Sequence, residues 1–207
     1  MRAERGRGTR EELVEAGVRG LLAALARRPV VPAVRSLGAE FETALAGDHA
    51  AVFVLGGDVF ELVEQLRSAG RRPPVCVNVD LASGVASDAE GIRYLSRHVE
   101  GVISTHRRTI EVAKQSGMVT IQRLFAIDSG AVERGLKMIV RAEPGFVEIL
   151  PAAAYPQIAG YYRAVCGIPV LTGGLVTEPG DVAALLAAGA SGVSTSSGEL
   201  WSREPRR

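Results

Sequence analysis

The sequence predicts one α/β domain, a (β/α)8 barrel of the TIM type with an N-terminal capping helix. Three observations carry this prediction. Eight short β-branched runs recur from residue 30 onward, amphipathic segments separate them, and the glycine-rich strand ends come late in the chain. Strands alternating with helices imply right-handed crossovers and a parallel sheet. Eight such units is the number that closes a barrel, although at about 21 residues each they are short for this fold. The alternative is an open doubly wound sheet, which would place its ligand at a switch point between strands.

The elements follow in order. Thr9 followed by Glu12 reads as a capping box, and Leu13, Val14, Val18, Leu21, Leu22 and Leu25 continue it as a helical stripe. This predicts a short helix under the barrel. The segment MRAERGRGTR holds four arginines and little that is apolar, so a mobile basic leader is expected. The strand-like runs are 30–35, 51–55, 75–81, 101–105, 119–126, 146–151, 169–174 and 192–197. Between the second and third, residues 58–69 place Phe60, Leu62, Val63 and Leu66 on one stripe, with Gly70 as the expected C-cap. Residues 178–188 repeat this with Val182, Leu185 and Leu186 before Gly189. The expected organisation is a leader and capping helix over 1–29, the barrel over 30–201 and a tail over 202–207.

Composition narrows the function. Apolar residues make up 47% and charged residues 23%, a globular balance. A net charge of +1 gives no global pull toward nucleic acid, so local basic clusters must hold any polyanion. No apolar run reaches the roughly 18 residues of a membrane span. Residues 20–26 (GLLAALA) end like a signal-peptidase site, but Glu11, Glu12, Glu15 and Arg19 break the stretch before them, so export is not expected. Cys76 and Cys166 stand far apart with no metal-ligand spacing, which suits a reducing cytoplasmic compartment. His49, His98 and His106 likewise suggest no metal, and neither a G-x-S-x-G elbow nor a Walker loop is present.

Barrel chemistry sits at the C-terminal ends of the strands. Those ends collect Arg35, Asn78 and Asp80, then Ser104, Thr105 and His106, Gln122 and Arg123, and Glu148. Because strand side chains alternate, Gln122 and Arg123 cannot both point inward. After the last two runs come Thr172-Gly173-Gly174 and Ser194-Thr195-Ser196-Ser197-Gly198. Bare amides, hydroxyls and the start of a final helix suit a phosphate site, with Thr172, Gly173, Gly174, Thr195 and Ser196 as its candidates; the alternative is that these glycines and serines only make tight turns. Asp80 and Glu148 could contact a ligand or organise the mouth through salt bridges with Arg35 and Arg123. His106-Arg107-Arg108 opens a helix with cations, against the macrodipole, which flags an anion or RNA contact. Arg27-Arg28 and Arg71-Arg72 fall at the opposite end and read as solubility charges or partner contacts. The local sequence shows no aromatic stacking platform for single strands.

Several strings then follow one another in order: VPAVR (31–35), VNVDL (77–81), VIST (102–105), IQRLF (121–125), FVEILP (146–151), TGG (172–174) and STS (194–196). Together they resemble the glycerol-3-phosphate-responsive antiterminator family, also called the glycerol uptake operon antiterminator, from about Val30 to Trp201. The resemblance implies a cytoplasmic regulator that binds glycerol 3-phosphate as effector, needs no cofactor, and acts on the leader mRNA of glycerol-utilisation genes. Carried over by position, the phosphate lies on Gly173, Gly174, Thr195 and Ser196. The glycerol hydroxyls meet Asp80, Glu148 and Arg35 or Arg123. Three positions depart from the family pattern: Ser83 replaces a lysine, His106 an arginine and Ala152 a glycine. A homodimer would double the basic footprint of Arg107-Arg108. The competing readings are a barrel enzyme acting on a small phosphorylated polyol or sugar, with Asp80 and Glu148 as acid and base, and a binding module with a protein partner.

Overall fold

A computed structural model of the protein describes residues 9–202. Most of the leader and the tail from residue 203 lie outside the described residues. The strands are β1 (Val30–Val34), β2 (Val52–Val54), β3 (Gly57–Asp58), β4 (Val75–Asn78), β5 (Ala82–Ser83), β6 (Gly101–Ser104), β7 (Val119–Phe125), β8 (Phe146–Leu150), β9 (Val170–Gly173) and β10 (Gly192–Thr195). All but β3 and β5 form a closed parallel barrel. Closure is shown by β1, which pairs with β2 through Ala33 and Phe53 and with β10 through Pro32 and Thr195. The open doubly wound sheet is thereby excluded. β3 and β5 form a small parallel ribbon on the mouth side, which the hydrophobic pattern did not announce.

Alternation along each strand sorts the core into an interior and a surrounding shell. Val31, Ala33, Phe53, Cys76, Ile103, Ile121, Phe146 and Leu171 pack inside the barrel. Their neighbours, such as Val52, Val54, Val77 and Val102 in one half and Val147, Ile149, Val170 and Val193 in the other, face the helices. Phe53 and Phe146 are fully buried, and each such side chain contributes about 1.5–3 kcal/mol.

The helix α1 (Arg10–Leu25) closes the N-terminal end. Its capping box is complete: Thr9 Oγ1 accepts from the Glu12 amide at 3.3 Å, and Glu12 Oε2 accepts from the Thr9 amide at 2.7 Å. Leu21 and Leu25 join the barrel interior. The approach is close enough that a Cβ on Gly192, the first residue of β10, would lie 2.6 Å from Leu25 Cδ2.

The outer helices are α2 (Ala39–Ala46), α3 (Val59–Ser68), α4 (Ala89–Leu95), α5 (Arg107–Gln115), α6 (Ser129–Ala142), α7 (Tyr155–Val165), α8 (Pro179–Ala187) and α9 (Gly198–Trp201). Gly189 ends α8 as its position suggests. It takes φ +102°, its amide donates to Leu186 O at 2.9 Å, and the Ala190 amide donates to Leu185 O at 3.1 Å. Gly70 does not play this part, because α3 already ends at Ser68 with Ala69 extended. The third run is also shorter than its apolar pattern. Asn78 Oδ1 accepts from the Asp80 amide at 3.0 Å, a local turn that takes the chain out of the ladder.

Candidate anion site at the barrel mouth

Toward the C-terminal ends of the strands the interior changes from apolar to polar. Continuing the inward series, Ile121 is followed by Arg123 and Phe146 by Glu148, while Gln122 faces the helix layer. Arg123 and Glu148 are register partners across β7 and β8, so their meeting follows from the sheet itself. Arg123 Nε donates to Glu148 Oε2 at 2.6 Å, and Ser194 Oγ donates to Oε1 at 2.6 Å. Glu148 is 0% exposed and the Arg123 side chain 8%. Both carboxylate oxygens are therefore held by the protein's own donors, and the pair is neutral overall.

Above this floor lies a cavity of about 670 Å³. Of the residues singled out from the sequence, Arg35, Arg123, Glu148, Gly174, Thr195 and Ser196 line it. Arg35 is exposed and forms no ion pair with any described residue, so its charge stays available at the mouth. Gly174 takes φ +81° and Leu175 φ +62°, turning the chain sharply over one side of the cavity. The left-handed conformation costs a non-glycine residue of order 1–3 kcal/mol, so Leu175 is a strained residue at a ligand-sized opening.

Other candidates are placed differently. Thr172 is fully buried, shares the outward series of Val170, and leaves Oγ1 without a hydrogen-bond partner. Gly173 faces inward, where a Cβ would lie 2.1 Å from Ser194 Oγ; the glycine makes room for the Ser194–Glu148 bond. Thr195 Oγ1 donates to Val176 O at 2.7 Å and accepts from the Ser197 amide at 3.0 Å, joining the loops after β9 and β10.

Asp80, His106, Arg107 and Arg108 do not line the cavity. Asp80 is a fastener between strands: Oδ1 accepts from Ser104 Oγ at 2.6 Å, and Oδ2 from the Thr105 amide at 2.7 Å and Thr105 Oγ1 at 2.8 Å. His106 caps α5 without a side-chain bond, and its amide donates to Ser104 Oγ at 3.0 Å. Arg107 pairs with Glu111 one turn on, at 2.9 Å, which offsets part of the clash with the helix dipole. Leu55, Leu81, Phe125, Leu150 and Leu175 give the cavity an apolar wall that a search for polar strand ends passes over. Leu55 was within reach, since it continues the inward series of Ala51 and Phe53.

No helix among the described residues is long and apolar enough to cross a membrane. Comparison with known proteins agrees with the fold. A family described as "Glycerol-3-phosphate responsive antiterminator" matches residues 30–201. A glycerol uptake operon antiterminator regulatory protein from Listeria monocytogenes is 32% identical, with TM-score 0.76 over 83% of this chain and 94% of that one. A glycerol uptake operon antiterminator-related protein from Thermotoga maritima is 30% identical, with TM-score 0.74 over 86% and 99%. The uncharacterized protein YgcP of Escherichia coli K12 is 28% identical over 87% of this chain and 95% of its own. With the family match spanning the whole closed barrel and its mouth, the chain belongs to the glycerol-3-phosphate responsive antiterminator family.

Proposed function

We propose that the protein is a glycerol-3-phosphate sensor whose loaded form binds leader RNA and lets transcription continue past a terminator. The observation that carries this reading is Arg35, a guanidinium without a carboxylate partner among the described residues, set over a neutral Arg123–Glu148 floor in a cavity edged by Gly174 and Ser196. A net positive mouth with bare amides suits a phosphate group. The Arg123–Glu148–Ser194 set then offers donors and acceptors to the polyol end. Asp80 positions the loop after β6 and does not contact the ligand. A sensor suits this arrangement better than an enzyme, because Asp80 lies outside the cavity and Glu148, the carboxylate that lines it, is engaged in fastening strands together. No cofactor is required, and the compartment is the cytoplasm, where leader mRNA is made.

A thermal-shift titration tests the proposal. At about a hundred times its dissociation constant a specific ligand adds roughly 2.7 kcal/mol. For a domain this size that is a rise of about 5–10 °C. Glycerol 3-phosphate should produce it, and glycerol or inorganic phosphate should not. Arg35→Ala should abolish the rise while leaving the unliganded Tm unchanged. An equal rise with phosphate alone would reduce the site to a generic anion pocket, and steady turnover of the phosphopolyol would favour the enzyme. RNA coupling is read separately, as a change in RNA affinity on saturation with the effector.

A further inference from the structure

A second feature lies on the flank of the barrel, outside the mouth. Phe60 in α3, Tyr94 in α4 and His98 just after α4 form a run of rings, with centroids 5.8 Å apart for the first pair and 4.8 Å for the second. The rings are tilted by 52° in both pairs, and Phe60 is 55% exposed. Arginines gather at the His98 end. Burial, then Arg67, then Arg97 hold the His98 imidazole below its ordinary pKa, so this ring is neutral near pH 7. Arg72 Nη2 also reaches His98 O at 3.3 Å. Arg67 and Arg97 pair with no carboxylate among the described residues. Nearby acids are partly engaged, Glu100 with Arg72 and Glu90 with Arg93. Asp58, Glu61 and Glu64, at and inside the start of α3, have no basic partner among the described residues, so the positive charge is local to the His98 end and not an excess over the whole flank.

Partly open aromatic faces next to unpaired guanidinium groups match the chemistry of single-stranded nucleic acid, whose bases stack and whose phosphates need cations. We infer that Phe60, Tyr94 and His98 form a stacking strip for the bases of single-stranded RNA, with Arg67 and Arg97 holding its phosphates. The inference rests on the RNA-binding reading proposed above and places that contact on the flank, away from the effector cavity.

The test is fluorescence anisotropy with a labelled oligouridylate, at low salt, with and without glycerol 3-phosphate. Phe60→Ala/Tyr94→Ala should weaken binding about tenfold or more, with folding checked by circular dichroism, and Tyr94→Phe should retain affinity. Arg67→Ala/Arg97→Ala should lower the slope of log affinity against log salt by about 1.4, which a purely structural role would not do. Neither variant should change the thermal shift given by the effector. Full affinity in a folded Phe60→Ala/Tyr94→Ala protein, with loss in Arg107→Ala/Arg108→Ala, would move the RNA to the mouth and overturn this inference alone. Absence of binding by the unsubstituted protein, with and without effector, would overturn both it and the RNA-binding reading.

Discussion

Replacing Glu148 by glutamine removes one charge from the floor of the mouth and leaves its shape nearly unchanged. The carboxylate is fully buried and holds Arg123 Nε and Ser194 Oγ, each at 2.6 Å. A buried guanidinium deprived of its partner typically costs about 3–5 kcal/mol. Arg123 lines the cavity and keeps 8% exposure, so water recovers part of that cost and about 3 kcal/mol is expected. At about 2–4 °C per kcal/mol for a chain of this size, the Tm should fall by about 6–12 °C. Urea denaturation measures the free energy directly. The double variant Arg123→Met/Glu148→Met should return to within about 1 kcal/mol of the unsubstituted protein, because an apolar pair has no charge to desolvate. A loss below about 1 kcal/mol in Glu148→Gln would show that Arg123 is solvated through the mouth. A double variant as unstable as the sum of both single ones would show that the two charges are not coupled.

Other outcomes follow from the same contacts. Gly173→Ala should cost about 1–3 kcal/mol in thermal denaturation, since the new Cβ meets Ser194 Oγ at 2.1 Å and displaces it from Glu148. Thr9→Ala should cost about 1 kcal/mol in the same assay by opening the capping box of α1. His49 and His98 are both held below their ordinary value of 6.5, chiefly by burial. The unfolded chain therefore takes up these protons first. Their contribution to stability is complete above the unfolded value and is lost as pH falls from there through the folded one. A His49→Gln/His98→Gln variant should show a flatter decline in Tm between about pH 7 and 5. Both cysteines are buried, and burial, then Glu100 and Glu148, push the Cys76 thiol above its ordinary range. Ellman's reagent should thus react slowly with the native protein and fully after denaturation.

Much of this molecule is legible in local pattern. All eight barrel strands stand where β-branched runs occur, because a strand buried on both faces must be apolar throughout and cannot hide in the sequence. The Thr9–Glu12 cap and the end of α8 at Gly189 were equally legible, since both are made by residues a few positions apart. The ribbon of β3 and β5 was not, because its two short strands pair across 25 residues and carry no hydrophobic period of their own. The ring cluster has the same origin: Phe60, Tyr94 and His98 belong to separate turns, and only helix packing places their rings together.

Arg35, Arg123, Glu148, Gly174, Thr195 and Ser196 were readable as mouth residues because strand ends and barrel topology determine which positions can reach the mouth. Their roles were decided by tertiary structure. Register sets Arg123 opposite Glu148 and joins them, while Asp80 is drawn to the hydroxyls of Ser104 and Thr105 and leaves the cavity. Alternation turns Thr172 toward the helices, and the loops after β9 and β10 consume the Thr195 hydroxyl. The sequence by itself determined the periodicity, the fold and the end of the barrel at which the polar residues gather, all of which follow from residue type and spacing along the chain. Which polar groups are already satisfied and which remain open to a ligand depends on partners 19 to 46 residues away, and only the closed barrel brings those together.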